Sequence, residues 1–449
     1  MISPTNPQQT RVDLLITATW LIPMDSKDRI LTNHGIVISG SRIVDVGPVS
    51  ELSTLYSAAN IIDLEGHVLL PGLINAHGHA AMSLLRGYAD DLPLQSWLQD
   101  RIWPAEGRWV SEQFVSDGTE LAIAEMLLGG TTCFSDMYFF PEQVASAAND
   151  TGMRVCLNTP ILDFPTVWAS EANEYIEKGT RLHDAYRDHE RISFAFGPHA
   201  PYTVSDAPLQ KIAMYAEEMD LGIHMHVHEN AKEIEESMHS HGMRPLTRLK
   251  QLDLVGPRLQ CVHMTQLTDD EIDLVAGHNA SVVHCPSSNM KLGSGICRVA
   301  DMLKAGICIA LGTDGAASNN KLDMFTEMRM AAMLAKTSSG DASALPAWDV
   351  LCMATCNGAR LLGQENELGI LEAGKFADII AVNLNTPSTQ PVYDPVSALV
   401  YSVSSSQVTH VWVHGQHLVR ERQLIRMNQS SLLKKAVSWQ QRISGNGAK

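Results

Sequence analysis

The sequence is short of positive charge, and it contains no closely paired cysteines. Its 33 lysines and arginines stand against 50 aspartates and glutamates, which gives a formal net charge of −17 over 449 residues. Binding to a nucleic-acid polymer needs a basic face, so this charge excludes that class of partner. No CxxC pair occurs among the eight cysteines. A cysteine-rich zinc site is therefore not expected, and the thiols are predicted to be buried and reduced.

Two further signals are missing. No stretch approaches the roughly 18 uninterrupted apolar residues of a membrane helix. The first residues show neither the basic region nor the cleavage site of a secretory signal peptide. We therefore expect a cytoplasmic protein with no membrane partner. The chain is 45% hydrophobic and 18% charged, which is typical of a globular protein, and its length allows one large domain and a smaller one.

Eight short apolar runs alternate with longer amphipathic segments in the middle of the chain. The runs are Leu73–His79, Thr131–Asp136, Arg154–Thr159, Ile192–His199, Gly222–Glu229, Leu259–His263, Ala280–His284 and Ile307–Asp314. Continuous apolar strands separated by helices indicate a parallel sheet that is buried on both faces. Eight such units predict an α/β fold with a (β/α)₈ TIM barrel over residues 71–369. The alternative is a doubly wound open sheet, but no glycine-rich dinucleotide-binding motif follows the first run.

Both flanks of the barrel region contain further strand-like segments. They are Val12–Leu21, Gly35–Gly40, Arg42–Gly47, Asn60–Leu70, Ala377–Asn383, Ser397–Val403 and Val408–Leu418. Neither end is long enough for a β-domain of its own, so residues 1–70 and 370–430 are predicted to form one small composite β-sandwich. Residues 347–362 predict one helix that leads out of the barrel. Residues 431–449 predict a C-terminal helix and a frayed tail.

Histidines and an aspartate lie at the ends of the apolar runs, where barrel enzymes place their active sites. His77 and His79 end the first run. Because residues two apart share a face of a strand, both imidazoles can point into the barrel mouth. The sixth and seventh runs end at His263 and His284. Asp314 ends the eighth, and a carboxylate there needs a cation or a donor; the alternative is a cap on the next helix.

The fifth run has three histidines on one face, His224, His226 and His228, and they cannot all be metal ligands. His226 is favoured because Glu229 follows three residues later, where a general acid/base should lie near a metal without binding it. His224 is expected to be a deeper, hydrogen-bonded core histidine, and His228 a rim residue.

A mixed set of nitrogen and oxygen donors results from this choice. The set is His77, His79, His226 and Asp314. It suits Zn²⁺ first, with Fe²⁺ or Mn²⁺ as alternatives. One position would stay open for water, as a catalytic metal site requires.

Four segments in order resemble the amidohydrolase superfamily: PGLINAHGHAAMSLLRG, HMHVHENAKE, VHCPSSNMKLGSG and LGTDGAASNN. Within it they are most similar to the methylthioadenosine/S-adenosylhomocysteine deaminase branch. The resemblance covers nearly the whole chain, including Leu368–Asp378, which resembles the return into the family's β-sandwich. It implies a hydrolase that acts on C–N bonds of cyclic amidines. It also implies one divalent metal ion per subunit on the four residues above, and we expect a homo-oligomer.

The resemblance also implies substrate contacts. Binuclear relatives use a carboxylated lysine or a glutamate at the end of strand four, whereas this sequence has Gly197–Pro201, which contains His199. One metal is therefore expected, and His199 becomes a candidate substrate-binding residue, with a surface histidine beside a helix as the alternative. By the same resemblance, Trp97 lines the pocket and Glu106 accepts hydrogen bonds from ribose hydroxyls.

The implied reaction is hydrolytic deamination of an adenine ring. Water attacks C6, while Glu229 contacts the ring, protonates N1 and later passes a proton to the departing ammonia. His263 and Asp314 orient the water, and Asp314 accepts its proton.

The substrate is expected to carry an uncharged 5′-substituent. Relatives that act on S-adenosylhomocysteine hold its carboxylate with arginines after strand three, but no arginine occurs here between Arg154 and Arg181. An apolar lining suits a methylthio group and leaves a carboxylate without its bidentate partner. We therefore predict 5′-methylthioadenosine over S-adenosylhomocysteine, with adenosine or 5′-deoxyadenosine as side substrates. An arginine from a neighbouring subunit is the alternative source of the missing cation.

Two other functional classes fit part of the sequence. Guanine-type deaminases and triazine chlorohydrolases share most of the ligands, but Glu229 with His263 favours deamination, and Trp97 with Glu106 favours a nucleoside. A non-catalytic binding barrel is the remote alternative, because such a protein would have little reason to keep the complete set of ligands and acid/base residues.

Overall fold

The computed structural model describes residues 9–27 and 29–445. These residues form two eight-stranded sheets, one parallel and barrel-shaped, the other mixed and built from both chain ends. The predicted fold class is therefore confirmed, while the domain boundaries at residues 70 and 370 stay predictions. The last four residues of the predicted frayed tail lie outside the described residues.

The strands are numbered in chain order. The mixed sheet contains β1 (Thr10–Leu21), β2 (Leu31–Ser39), β3 (Arg42–Pro48), β4 (Tyr56–Pro71), β13 (Ile379–Asn383), β14 (Val408–Val413), β15 (Gln416–Arg420) and β16 (Gln423–Leu424). The barrel contains β5 (Leu73–Gly78), β6 (Thr131–Asp136), β7 (Arg154–Ile161), β8 (Ile192–Pro198), β9 (Gly222–Val227), β10 (Leu259–His263), β11 (Ser281–His284) and β12 (Ile309–Leu311). Each barrel strand overlaps one of the eight predicted apolar runs.

The helices are numbered in the same way. They are α1 (Val49–Leu55), α2 (Leu94–Ser96), α3 (Trp103–Trp109), α4 (Glu112–Leu128), α5 (Pro141–Thr151), α6 (Ala172–Tyr186), α7 (Asp206–Met219), α8 (Ala231–His241), α9 (Pro245–Gln251), α10 (Asp269–Gly277), α11 (Pro286–Lys291), α12 (Val299–Lys304), α13 (Ala316–Asn319), α14 (Met324–Ser339), α15 (Ala347–Met353), α16 (Cys356–Leu361), α17 (Pro395–Tyr401) and α18 (Gln429–Ile443). Turns of 3₁₀-helix span Ala80–Leu85 and Ser405–Gln407, and a π-helical segment spans Trp97–Ile102. None of the helices in the described ranges combines the length and apolar content needed to cross a membrane.

The barrel strands pair in parallel in the order of the chain, from β5 to β12. The first and last strands approach each other where the backbone N–H of Asp314 donates to the carbonyl of His77, 3.1 Å away. Gly312 permits this approach, since a Cβ there would lie 2.8 Å from the Cβ of His77. Closure of the barrel therefore brings together two of the predicted site residues that are far apart in sequence.

The mixed sheet joins the two chain ends through β13, which pairs antiparallel with β4. Ile379 lies opposite Pro71, the residue that ends β4 just before the barrel begins. β1 pairs parallel with β4 and antiparallel with β2. The chain therefore leaves this sheet, builds the barrel, and returns to the same sheet.

One of the predicted flanking elements is wrong, and two others have the predicted type but are divided by short turns. Ser397–Val403 is helical, because Pro395 starts α17 and the Asp394 carboxylate accepts the backbone N–H of Val396 at 2.9 Å. Val408–Leu418 is two strands, β14 and β15. The single helix predicted over residues 347–362 is interrupted at Thr355, so it divides into α15 and α16.

The cysteines agree with the expected reduced state. All eight are free thiols; five are buried and three are partly buried. Two of them, Cys133 and Cys156, pack inside the barrel with apolar neighbours such as Ile74 and Val262. The barrel is therefore filled by side chains below its mouth, as in other barrels of this kind.

Candidate active site

A cluster of histidines and one aspartate lies at the carboxyl end of the barrel, as the sequence predicts. Single donor atoms of His77, His79 and His226 lie within 4.8 Å of one another, as do those of His77, His263 and Asp314. Asp314 Oδ1 is 3.3 Å from His79 Nε2 and 3.6 Å from His77 Nε2. The polar side chains at the ends of β5, β9 and β10 and in the loop after β12 therefore lie close together.

Hydrogen bonds at Nδ1 orient two of these rings. His79 Nδ1 is 2.6 Å from the carbonyl of Met137, and His226 Nδ1 is 2.7 Å from the carbonyl of His199. A carbonyl oxygen can only accept, so in each pair Nδ1 carries the hydrogen. In the neutral ring the Nε2 lone pair is then free for a metal ion, the usual arrangement of metal-binding histidines.

The cluster has the donor chemistry that a metal ion needs. His77 Nε2 is buried and has no hydrogen-bond partner among the described residues, and such an unpaired polar atom is costly without a ligand. Burial works to raise the pKa of Asp314, but His77 and His79 hold that pKa well below its usual value. Burial works to lower the pKa of His79, but the neighbouring Asp314 raises it to about 9. A divalent cation such as zinc would take the place of the proton held between His79 and Asp314.

Asp314 is also tied to its surroundings. Its Oδ2 accepts a hydrogen bond from the Ser288 hydroxyl at 2.6 Å, and its Oδ1 accepts the backbone N–H of Gly315 at 2.7 Å. Neither contact caps the short helix α13, whose N-cap residue is Gly315 and which has no side-chain cap hydrogen bond. The alternative role of Asp314 as a helix cap is therefore wrong, and its Oδ1 faces the histidine cluster.

Glu229 lies two residues beyond the end of β9, beside the cluster. Its backbone N–H donates to Glu233 Oε2 at 2.7 Å, and its carbonyl accepts from the Thr265 hydroxyl at 2.7 Å. Burial raises the pKa of Glu229 above its usual value. A buried carboxyl with a raised pKa, held at both sides of its backbone, is suited to moving protons.

His263, a member of this cluster, lies beside Glu229. Its Nε2 is 3.8 Å from Glu229 Oε1, and its Nδ1 is 2.8 Å from Asn289 Oδ1. The Asn289 contact comes from α11 and holds the imidazole in place. Nε2 of His263 can therefore contact a small molecule that is bound beside Glu229.

A cavity of about 530 Å³ opens above the cluster. Trp97, Leu98 and Trp103 form one wall, and Phe164 and Val167, from the loop after β7, form part of another. The residues that line it, all in the described part of the chain, include no lysine or arginine. The cavity therefore has an acidic and imidazole-rich floor beneath apolar walls.

The four residues predicted to contact substrate, Trp97, Glu106, His199 and Glu229, all line this cavity. The hydroxyl of Tyr138 donates to Glu106 Oε1 at 2.7 Å, a contact that the sequence analysis missed. Tyr138 lies two residues beyond the end of β6, so the strand-end rule that found the histidines also applies to it. Burial lowers the pKa of His199 to about 4, which keeps this ring neutral near pH 7.

Two histidines of the fifth run have different surroundings. His224 is fully buried and contacts His77, in agreement with its expected place in the core. His228 is also fully buried, so its prediction as a rim residue is wrong. Its φ of 54° turns the chain away from the strand, and its Nε2 accepts the backbone N–H of Leu246 at 3.3 Å.

Fold and site together define a barrel protein whose functional groups lie on the ends of its strands. Comparison with known families agrees: the amidohydrolase family matches residues 68–418, and the chain belongs to this family. It is 49% identical to the 5-methylthioadenosine/S-adenosylhomocysteine deaminase of Teredinibacter turnerae, over 97% of this chain and 98% of the relative. The protein of the same name from Saccharophagus degradans is 50% identical, over 98% and 99% of the two chains.

A solved structure resembles the whole chain. It is an adenosine deaminase from Xanthomonas campestris with bound zinc, and it superposes with a TM-score of 0.96 at 45% sequence identity. The match covers 98% of this chain and 100% of the other.

Proposed function

We propose that the protein is a metal-dependent deaminase that converts 5′-methylthioadenosine and water into the corresponding inosine derivative and ammonia. The observation that carries the proposal is Glu229, a buried carboxyl beside a histidine–aspartate cluster at the floor of an apolar cavity. The similarity of the whole chain to proteins named for deaminating adenine nucleosides supports the substrate class.

We assign His77, His79, His226 and Asp314 as the ligands of one divalent metal ion, with zinc expected first and Fe²⁺ or Mn²⁺ as alternatives. When bound, such an ion lowers the pKa of water and stabilises negative charge near neutral pH. The orphaned Nε2 of His77 and the ionised Asp314 support this assignment. The zinc in the similar adenosine deaminase also supports it.

The ligand Asp314 and two side chains beside the ligands, Glu229 and His263, act on the water and its protons. Water attacks C6 of the adenine ring, forming a C–O bond, and the bond from C6 to the amino nitrogen breaks. Asp314 accepts one proton of the water, while His263 orients the water through its fixed imidazole. Glu229 protonates N1, takes the second proton of the water from the hydroxyl now on C6, and passes it to the leaving nitrogen. The proton held by Asp314 returns to Glu229 and replaces the one given to N1. The two protons of the water are thus accounted for by N1 and ammonia.

Substrate binding involves further residues that line the cavity. We assign Glu106 as the acceptor of the ribose hydroxyls, with Tyr138 holding its carboxylate. His199 contacts the base, and Trp97 contributes to the apolar wall. Walls without a cation favour the methylthio group over the charged amino-acid end of S-adenosylhomocysteine, and adenosine and 5′-deoxyadenosine are expected as weaker substrates.

The test is release of ammonia and loss of adenine absorbance, measured with the metal-loaded protein on four compounds. These are 5′-methylthioadenosine, S-adenosylhomocysteine, adenosine and guanine. We expect the highest kcat/KM for 5′-methylthioadenosine. Activity on guanine alone would replace this proposal with a guanine-type deaminase.

A further inference from the structure

A chain of three side chains runs from the proposed metal site into the interior of the barrel. His77 Nδ1 is 2.8 Å from His224 Nε2, and His224 Nδ1 is 2.9 Å from Gln260 Oε1. Gln260 Nε2 donates to the carbonyl of Leu361 at 2.7 Å. The three side chains come from β5, β9 and β10, and all three residues are buried.

The backbone carbonyl at the end of the chain determines the direction of every hydrogen bond in it. Leu361 O can only accept, so the amide nitrogen of Gln260 must face it, and the amide oxygen must face His224. That oxygen also accepts only, so His224 Nδ1 carries the hydrogen. The Nε2 of a neutral His224 is then an acceptor, and His77 Nδ1 must donate to it.

We infer that His224 and Gln260 are positioning residues that select the tautomer of His77 with its hydrogen on Nδ1 and its lone pair on Nε2. This inference rests on the metal site proposed above. The opposite tautomer of His77 would place a hydrogen on the nitrogen that faces Asp314 and the other ligands. A metal ion could not bind that nitrogen until the hydrogen had moved.

The other two histidine ligands are oriented in a different way. His79 and His226 donate to backbone carbonyls, which are present whatever side chains surround them. Nδ1 of His77 points instead into the barrel, where the chain reaches a carbonyl only through His224 and Gln260. The orientation of His77 therefore depends on side chains that substitutions can remove.

The strand beside Gln260 is shaped to hold its amide. A Cβ added at Gly222, the first residue of β9, would lie 2.7 Å from Gln260 Nε2. The Gly222→Ala substitution would therefore displace the amide from Leu361 while leaving His77 and His224 chemically unchanged. It offers a test of the inference at a second point of the chain.

The main experiment measures zinc affinity by competition with a chelator. The dissociation constant for zinc is expected to be about 10- to 100-fold higher in His224→Leu than in the wild-type protein. This is the usual cost of losing such a supporting contact. His224→Gln can place an acceptor near the position of Nε2, so it is expected to recover most of the affinity. Gly222→Ala is expected to weaken zinc binding in the same direction as His224→Leu and by less.

A matched control separates this effect from general damage to the barrel. Asn158 is also fully buried in the barrel, where its amide donates to the Ser135 hydroxyl at 2.7 Å. Asn158→Leu is expected to lower the thermal midpoint, as His224→Leu does, with zinc affinity unchanged. A ¹⁵N spectrum of the zinc-loaded wild type should show a protonated Nδ1 and a metal-bound Nε2 on His77.

The outcomes are distinct. Equal zinc affinity in wild type, His224→Leu and Gly222→Ala would overturn the relay, that is, the selection of the His77 tautomer by His224 and Gln260. The proposed metal site would be unaffected by this result. The relay would also be overturned if Asn158→Leu weakened zinc binding as much as His224→Leu. Failure of the wild-type protein to bind one zinc ion, or binding that survives His77→Ala, would overturn the metal site and the relay with it.

Discussion

Two buried carboxylates in the same cavity have pKa values displaced in opposite directions. For Asp314, burial is outweighed by His77 and His79, which hold its pKa well below the usual value. For Glu229, burial has the largest effect, and its pKa is raised. Titratable neighbours whose environments separate their pKa values in this way commonly divide the roles of acid and base. This supports Asp314 as the charged member of the pair and Glu229 as the proton carrier.

The first prediction concerns Glu229. Glu229→Gln keeps the shape and the backbone contacts of the residue but cannot transfer a proton, so turnover is expected to fall about 10²- to 10⁴-fold. Zinc content, measured by elemental analysis, should stay at the wild-type level because Glu229 is not a proposed ligand. Glu235→Gln, an exposed change on α8, is the control and should leave kcat unaltered. Near-normal kcat in Glu229→Gln would reject this role.

The second prediction concerns the Tyr138–Glu106 hydrogen bond. Tyr138→Phe removes a hydrogen bond to a carboxylate, a loss of about 1.5–3 kcal/mol, or roughly 12- to 160-fold in binding. KM for 5′-methylthioadenosine should rise by that factor with kcat nearly constant, because the contact lies away from the reacting ring. A 2′,3′-dideoxy analogue should lose much less. An equal loss for both compounds would show that Tyr138 does not act through the ribose.

At the scale of residues, a single rule predicted much of the candidate site. Side chains at the carboxyl ends of consecutive barrel strands must meet, and this rule brought His77, His226 and Asp314 together without a structure. It failed for His228, since alternation of faces holds only while the backbone stays extended. At His228, φ becomes positive, and no feature of the sequence marks that change.

The first turn of α8 supports the end of β9. Asn230 caps the helix by accepting the N–H of Glu233 at 3.0 Å. Glu233 in turn accepts the backbone N–H groups of His228 and Glu229, at 2.9 and 2.7 Å. Burial raises the pKa of Glu233 to about 8. A buried carboxyl group that accepts two backbone hydrogens fixes the segment from which Glu229 projects.

The third prediction follows from this contact. Glu233→Gln turns one acceptor oxygen into a donor and leaves a buried N–H unpaired, which costs about 1–3 kcal/mol in the free energy of unfolding. Urea denaturation measures that loss. We also expect kcat to fall while zinc affinity holds, because Glu229 would lose its position but the ligands would not. Unchanged stability and kcat would contradict the supporting role of α8.

The mixed sheet contains a stack of aromatic rings with two histidines. His417 lies 4.4 Å from Trp412 and 5.4 Å from His410, measured between ring centroids. Burial lowers the pKa of His410 and of His417 to about 4. Both rings are therefore neutral in the folded protein at pH values where an exposed histidine is charged.

The fourth prediction is a pH dependence of stability. A histidine with a lowered pKa in the folded state stabilises the fold above the unfolded value of about 6.5, and this stability is lost as the pH falls towards 4. His417→Phe keeps the stack without the titration, so its urea midpoint should decrease less than that of the wild type between pH 6.5 and 4. His239→Gln, at an exposed position on α8, is the control. Equal decreases of the urea midpoint in His417→Phe and wild type would contradict a contribution of His417 to this pH dependence.

At the scale of elements, the barrel was more predictable than its flanks. A barrel strand is buried on both faces and reads as a continuous apolar run, a pattern that also fits a short buried helix. That ambiguity produced the wrong strand at Ser397–Val403. Asp394 and Pro395 form an N-cap and a first-turn proline, a local signal for a helix start that outweighs the apolar content.

The cavity has the same sign of charge as the whole molecule, since both are acidic. The chain has a formal charge of −17, and the cavity contains three acidic side chains but no lysine or arginine among its described lining residues. An uncharged nucleoside enters such a cavity without meeting an unpaired charge. The anionic end of an amino-acid substituent would meet apolar walls and negative potential.

The fifth prediction is therefore a change of substrate preference. Val167 is 45% exposed at the mouth of the cavity, so Val167→Arg can supply a cation there without filling the core. This variant should raise kcat/KM for S-adenosylhomocysteine relative to 5′-methylthioadenosine, and Val167→Gln, which adds length without charge, should not. Comparable kcat/KM for both compounds in the wild type would contradict the preference. Light scattering would then show whether a partner subunit is present to supply an arginine.

The most direct test is ammonia release from 5′-methylthioadenosine by the purified protein before and after metal removal. We expect one ammonia per nucleoside consumed, loss of this activity after chelation with the fold retained by circular dichroism, and recovery when zinc is restored. No ammonia release from the zinc-loaded protein, or release that continues undiminished in the metal-free protein, would contradict it.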